Sequence, residues 1–138
     1  MTPKQIELVQ ATWAELVPVA DAAAKLFYHR LFTLDPSLKA LFRGDMDAQG
    51  RKVMSMISFA VKGLNRVEAL LPGLRALGQR HAAYGVRDEH YATVGEALLW
   101  TLREGLGEAF SAEVEQAWSS AYAVLAATMK QAPDRLAA

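Results

Sequence analysis

The chain has 138 residues, with 15 basic side chains, 15 acidic side chains and no cysteine. A chain of this length can bury a sizeable core without staples, and we predict one domain over residues 1–138. Balanced charge gives no net field to attract nucleic acid or anionic lipid, so we expect no nucleic-acid partner. The lack of cysteine excludes disulfides and thiolate ligation, and any metal must bind through nitrogen or oxygen.

The N-terminal segment is polar and helically periodic, and it lacks the basic-then-apolar order of a signal peptide. Charged residues and glycines interrupt every apolar run well before the roughly 18 residues that a membrane span requires. We therefore predict a cytoplasmic protein that begins near Met1 and has no membrane span.

Apolar residues recur at helical spacing along the chain, and no stretch alternates as a strand does. Thr2-Pro3-Lys4-Gln5 has the pattern of a helix start, with a capping hydroxyl, a proline at the first helical position and a glutamine three residues after the cap. Pro18 separates this helix from a second one over about 19–33. Asp35-Pro36 then opens a short turn that ends at Leu41-Phe42. The fold class is therefore all-α.

Four further helices are predicted over about 47–64, 72–85, 88–106 and 111–131. Pro72 and Gly85 bracket the second of these, and Asp88 and Ser111 are the expected caps of the last two. Periodicity alone does not separate the possible arrangements of these helices.

His81 lies on an otherwise apolar helical stripe formed with Leu70, Leu74, Leu77 and Tyr84. A buried imidazole needs a partner at both ring nitrogens, and a metal can occupy one while a backbone carbonyl one turn back occupies the other. From the pattern alone, a hydrogen-bonded core histidine is the commoner case. A ligand role therefore needs a second wall opposite this helix.

Gln49 begins a candidate second wall, because the rest of its helical face, which includes Val53, is apolar. A glutamine in the first turn of a helix more often still reaches solvent. Tyr28, on the inner face of the second helix, is equally ambiguous, since a buried tyrosine commonly directs its hydroxyl to a backbone carbonyl. Taken singly, neither residue defines a site.

Together these residues follow an order and spacing that resemble the globin family: Phe27-Tyr28, Asp35-Pro36, Leu41-Phe42, Gln49 with Val53, His81, and His90-Tyr91. The runs KLFYHRLF, LGQRHAAYGV and HYATVGEALL resemble single-domain bacterial haemoglobins and the haem domain of flavohaemoglobins, with some neuroglobin-like features. The resemblance covers essentially the whole chain. It implies a globin fold of seven to eight helices around a haem pocket, and not a helical bundle with extra elements.

The resemblance implies roles for residues around the haem. His81 would be the proximal iron ligand, with its other ring nitrogen held by a backbone carbonyl such as that of Leu77. Phe42 would stack against the porphyrin. Lys52 and Arg80 lie where globins often place cations near the haem propionates, although a solvated side chain is an equally good interpretation for both.

On the distal side, the resemblance makes Tyr28 and Gln49 hydrogen-bond donors to dioxygen, with Val53 as the steric ceiling. Bound dioxygen carries partial negative charge, so two donors favour its slow release. No histidine shares the distal row with Gln49, and the sixth iron position is expected to be open or weakly filled.

This sequence lacks a glutamate that the related proteins have near the proximal histidine. Bacterial haemoglobins and flavohaemoglobins place a glutamate late in the last helix, where it acts with a tyrosine resembling Tyr91 on the proximal histidine. The equivalent position here is Pro133, next to the shorter Asp134. Neither peroxidase-like nor dioxygenase-like activation of the bound ligand is therefore expected.

The resemblance thus implies a haem b protein that binds dioxygen reversibly for storage, delivery or scavenging, and that binds without catalysing a reaction. Three alternatives stay open. The first is a nitric oxide dioxygenase that works with a separate reductase. The second is a sensor of gas or sulfide, and the third, from a different class, is a haem-free helical interaction module.

Overall fold

The computed structural model describes residues 1–42 and 44–137, with side chains described through residue 130. Its α-helices are α1 (Pro3–Leu16), α2 (Ala20–Leu34), α3 (Met46–Lys62), α4 (Val67–Ala83), α5 (Asp88–Leu106) and α6 (Ala112–Ala137). Four short 3₁₀ helices join them: Val17–Val19, Pro36–Leu41, Leu64–Arg66 and Gly107–Ala109. No strand occurs in the described ranges, and the all-α prediction is confirmed. The described ranges contain six α-helices and four 3₁₀ helices, where the resemblance implied seven to eight helices in all. None of the described helices is long and apolar enough to cross a membrane.

Local capping chemistry sets several helix ends. Thr2 Oγ1 accepts the Gln5 N–H at 3.1 Å, while Gln5 Oε1 accepts the Thr2 N–H at 3.0 Å, which is the predicted capping box. Ser111 Oγ accepts the Val114 N–H at 3.2 Å and caps α6 as predicted. The cap predicted at Asp88 is wrong by one position, because Asp88 is the first helical residue of α5.

The predicted start of α4 at Pro72 is also wrong, because the helix begins at Val67 and Pro72 lies inside it. The helix continues through the proline because Leu70, before it, is buried in the core and helps to hold the first turn in place. Pro72 lacks the N–H that would bond to the Glu68 carbonyl. Both residues are exposed, so water can take the place of that donor. Tyr84, which the sequence placed on the apolar stripe, is 68% exposed.

The two helices that carry most of the candidate site are supported from behind by different neighbours. α3 packs on α2 and α4 packs on α6, while α2 also packs on α5 and α1 on α6. At the junction of α1 and α6, Trp118 Nε1 donates to Thr12 Oγ1 at 2.9 Å, and the Trp13 and Trp118 rings lie 5.9 Å apart. Trp13 Nε1 also donates to Ser58 Oγ on α3 at 2.8 Å. α3 is thus held by α1 and α2, and α4 is held by α6.

Gly78 lies where α4 crosses α6 in backbone contact. A Cβ added to Gly78 would lie 2.2 Å from the main-chain oxygen of Met129, far inside normal contact. Gly73, on the same helix, has ordinary space, since its added Cβ would lie 3.6 Å from the Phe59 ring.

We therefore expect Gly78→Ala to lower the free energy of unfolding by about 1–3 kcal/mol, because the crossing is overpacked. The matched variant Gly73→Ala is expected to raise it by about 0.5–1 kcal/mol through helix propensity. Urea denaturation of both variants measures these changes. Equal effects of the two substitutions would contradict the close crossing at Gly78.

Candidate functional site

His81 lies in the last turn of α4 and is half-buried. Its Nδ1 lies 2.8 Å from the main-chain oxygen of Leu77, so the hydrogen bond that the sequence predicted is present. A carbonyl oxygen can only accept, which assigns the proton to Nδ1 and leaves the lone pair on Nε2. The imidazole is therefore held in the tautomer that can bind a metal through Nε2.

The surroundings of His81 favour its neutral form. Burial lowers the pKa of His81, the hydrogen bond to Leu77 opposes this effect, and the neighbouring Arg80 lowers the pKa further. Neutral imidazole is the form that ligates metals. The lowered pKa of His81 and its hydrogen bond to Leu77 thus both favour an imidazole that can bind a metal through Nε2.

Tyr28 and Gln49 come together between α2 and the first turn of α3. Tyr28 is buried, and its hydroxyl donates to the main-chain oxygen of Gln49 at 3.3 Å. That contact is longer than the usual 2.7–2.8 Å for an O–H···O bond and is therefore weak. Burial raises the pKa of Tyr28 to about 12, so its phenol keeps its proton at neutral pH and can act as a donor. The sequence left open a hydroxyl directed to a backbone carbonyl, and the structure has that arrangement.

An aromatic cluster surrounds the Tyr28 ring. Phe42 follows the 3₁₀ helix Pro36–Leu41, and its ring meets those of Tyr28 and Phe32 edge-on at centroid distances of 5.2 and 5.4 Å. Phe42 is half-buried, and so is Val53 on α3. These side chains form an apolar border that fits the flat, apolar faces of a porphyrin.

Lys52 and Arg80 are both exposed, beside Val53 on α3 and His81 on α4 respectively. Their exposure is compatible with a propionate partner and with a solvated surface, so the predicted contact stays a prediction.

Tyr91 is buried on α5, and its main-chain oxygen accepts a 2.6 Å hydrogen bond from the Tyr122 hydroxyl. Lys130 Nζ lies 5.7 Å from the centre of the Tyr91 ring. Burial raises the pKa of Tyr91, and the nearby Asp88 raises it further. The sequence did not identify Tyr122 or Lys130 as neighbours of this tyrosine. Their spacing of eight residues, which is close to two helical turns, could have placed them on one face of α6. The side chain of residue 133, where related proteins have a glutamate, lies outside the described residues.

The donor set fits a haem. A single neutral imidazole with a free Nε2 suits an iron whose other ligands come from a porphyrin, since a bare metal ion would need several protein ligands. Aromatic side chains border the Tyr28 phenol, which lies on α2 beside the first turn of α3.

Comparison with known proteins supports this assignment. The globin family model matches residues 25–129. The flavohemoprotein of Vibrio cholerae is 32% identical over 129 residues, which are 91% of this chain and 33% of that protein. The neuroglobin of Chaenocephalus aceratus is 32% identical over 145 aligned positions, covering 95% of this chain and 91% of the neuroglobin. The chain thus spans about a third of the length of the flavohemoproteins that it matches.

Solved structures share the fold over nearly the full chain. An engineered carbene transferase from Rhodothermus marinus, classed as a nitric oxide dioxygenase, superposes with a TM-score of 0.88 at 26% identity, covering 99% of this chain and 96% of that one. A bacterial globin from Campylobacter jejuni superposes with a TM-score of 0.86 at 24% identity, covering 98% of both chains. The family match, the full-length likeness to a neuroglobin and the shared fold agree with the geometry around His81: this chain belongs to the globin family, whose members bind haem and diatomic gases.

Proposed function

We propose that the chain holds one haem b without covalent attachment, and that it binds dioxygen reversibly in the cytoplasm for storage, delivery or scavenging. The observation that carries this proposal is the 2.8 Å contact between His81 Nδ1 and the Leu77 carbonyl, which frees Nε2 for iron. Haem iron supplies the position at which a diatomic gas binds. Without cysteine, the chain cannot form the thioether bonds that attach haem covalently.

The distal residues would tune gas affinity. The Tyr28 phenol keeps its proton at neutral pH, and its present bond to the Gln49 carbonyl is weak enough to be exchanged for one to a gas ligand. The Gln49 side chain would add a second donor. Val53 and Phe42 would keep water away from these groups, and Lys52 and Arg80 would pair with the propionates.

The dithionite-reduced protein without added ligand is expected to be predominantly five-coordinate and high-spin. A glutamine amide is a poor iron ligand, and the two other histidines of the chain, His29 on α2 and His90 on α5, are not on the distal helix. Absorption spectra of the ferric and reduced protein test this and report at once whether haem is present. A sharp low-spin spectrum of the reduced protein would show that a side chain fills the sixth position.

Nitric oxide dioxygenation with a separate reductase is a second candidate function. It is favoured by the likeness to flavohemoproteins and to the Rhodothermus marinus protein classed as a nitric oxide dioxygenase. Nitrate formation from nitric oxide over many turnovers, under a continuous supply of electrons, distinguishes this function from oxygen binding alone.

A further inference from the structure

An open groove runs along α3 on the side of that helix that faces the end of α1 and the start of α2. Its volume is about 620 Å³, which is within the usual range for small-molecule sites. We call it the α1–α3 groove. Its lining includes Trp13, Val17, Asp21, Met54, Phe59 and Lys62.

The α1–α3 groove is separate from the candidate haem site. Ser58 also lines it, and this residue follows Gln49 by nine positions on α3, which is about two and a half helical turns. Ser58 therefore lies on the opposite side of α3 from Gln49, and Met54 and Lys62 lie on the same side as Ser58. The lining residues differ from all those that would contact the haem or the gas. The proposed function thus leaves this groove without a role.

The apolar part of the groove has a deep floor and a half-exposed rim. Trp13 and Met54 are only 5% and 7% exposed, whereas Val17 and Phe59 are 51% and 54% exposed. A protein helix, which is about 10–12 Å wide with its side chains, would rest on the rim residues. A thin hydrocarbon chain can lie between them and reach the floor. The shape therefore favours a linear apolar ligand over a helix of a partner protein.

Two hydrogen-bond donors lie at one end of the groove. Lys62 is exposed, and in the described part of the chain its ammonium group forms no ion pair. Ser58 lies one turn earlier on the same face of α3. Its Oγ accepts the Trp13 Nε1–H at 2.8 Å, and its own hydroxyl proton has no acceptor among the described residues. An ammonium and a hydroxyl one turn apart can both donate to a single carboxylate.

The other end of the groove carries balanced charge. Arg51 lies eleven residues before Lys62, or roughly 16 Å along α3. Asp21 lies toward this end, because Ala24, one turn further along α2, packs against Gly50 of α3. Arg51 and Asp21 offset each other, so the net positive charge is at Lys62.

This charge pattern also argues against a second copy of the chain as the occupant. Two copies that met through the α1–α3 groove would bring together two surfaces of the same net charge. A ligand with one negative charge at one end and an apolar chain matches both the lysine end and the floor.

We propose that the α1–α3 groove binds medium-chain monocarboxylates, with the carboxylate on Lys62 and Ser58 and the hydrocarbon chain on Trp13, Met54 and Val17. None of these residues takes part in the proposed haem site, so this inference stands or falls independently of the proposed function.

Sodium decanoate is the probe, titrated below its micelle-forming concentration into the ¹⁵N-labelled, carbon-monoxide-bound holoprotein at constant ionic strength. The indole N–H signal of Trp13 is expected to shift saturably. The signal of Trp100, which lies on α5 under the Arg30 guanidinium, should not move. Shifts at Val53 and His81 without one at Trp13 would place the ligand in the haem pocket and refute the proposal, as would the lack of any saturable shift.

Related amphiphiles test the two halves of the ligand separately. Hexanoate is expected to bind at least about tenfold more weakly than decanoate, because it buries fewer methylene groups. 1-Decanol and decyltrimethylammonium, which keep the chain but not the negative charge, should also bind more weakly. Equal affinity for hexanoate would overturn the role of the apolar floor, and equal affinity for 1-decanol would overturn the role of the carboxylate.

Lys62→Met is the decisive variant, because it removes the ammonium group and keeps a side chain of similar length at an exposed position. Decanoate affinity is expected to fall at least about fivefold. Lys4→Met makes the same substitution at an exposed lysine in the first turn of α1, outside the groove, and should leave the affinity unchanged.

Three results of this comparison would contradict the placement of the carboxylate. An equal loss in Lys62→Met and Lys4→Met would mean that overall charge controls binding. Unchanged affinity in Lys62→Met would remove the ammonium from the site. A larger loss in Arg51→Met than in Lys62→Met would place the carboxylate at the opposite end of the groove.

Discussion

Replacing His81 with alanine is expected to abolish stable haem binding, and added imidazole is expected to restore it. The substitution removes the neutral imidazole that Leu77 holds in its metal-binding tautomer, and leaves a space that free imidazole can occupy. The variant without haem should also unfold more easily than the holoprotein, because a ligand bound only to the native state stabilises it. The measurement is the haem-to-protein ratio, with the absorption spectrum recorded before and after imidazole is added.

His29→Ala provides the matched control, since this exposed histidine lies outside the candidate site and its removal should leave haem content unchanged. Normal haem content and a normal reduced spectrum in His81→Ala would refute the assignment of the proximal side.

Tyr28→Phe and Gln49→Leu are each expected to speed dioxygen release by about one to two decades. The reason is the loss of one hydrogen bond to a partly charged acceptor, worth roughly 1.5–3 kcal/mol. Stopped-flow measurement of dioxygen displacement gives these rates. The double variant should show non-additive effects if both donors act on one ligand oxygen.

Carbon monoxide is the internal control for these two variants. Its bound form carries much less negative charge, so its release should change far less, which separates lost hydrogen bonds from a general opening of the pocket. The Tyr28 hydroxyl also bonds to the Gln49 carbonyl, and urea denaturation of Tyr28→Phe shows how much of its effect is on stability. Unchanged dioxygen release in both single variants would refute the distal mechanism even in a haem-binding protein.

Sequence reasoning was accurate where the physical cause lies within one or two helical turns. The caps at Thr2 and Ser111 depend on a hydroxyl and an amide three residues apart, and the His81–Leu77 bond depends on the four-residue repeat of a helix. It failed at Pro72, where propensity indicated a helix start. There the burial of Leu70 holds an extra turn before the proline.

The contacts in the site that could not be predicted from the sequence are contacts between segments that are distant along the chain. The bond from the Tyr122 hydroxyl to the Tyr91 carbonyl and the position of Lys130 over the Tyr91 ring depend on how α5 and α6 are packed together. Likewise, His90 caps α5 through a local bond to the Arg87 N–H, whereas its burial beside the 3₁₀ helix Pro36–Leu41 depends on a distant segment.

The indole pair at the junction of α1 and α6 bears on the order in which the chain folds. Trp118 donates to Thr12 across 106 positions of sequence, whereas the contacts within the individual helices are local. Closing so long a loop costs conformational entropy before any contact repays it, so this junction is expected to form late. Trp13 and Trp118 lie against each other there, so separation of the two terminal helices alters the environment of both rings at once. The third tryptophan, Trp100 on α5, lies under the Arg30 guanidinium and not at this junction. In a Trp100→Phe variant, tryptophan fluorescence consequently reports the closure of the junction between α1 and α6, and not the formation of the separate helices.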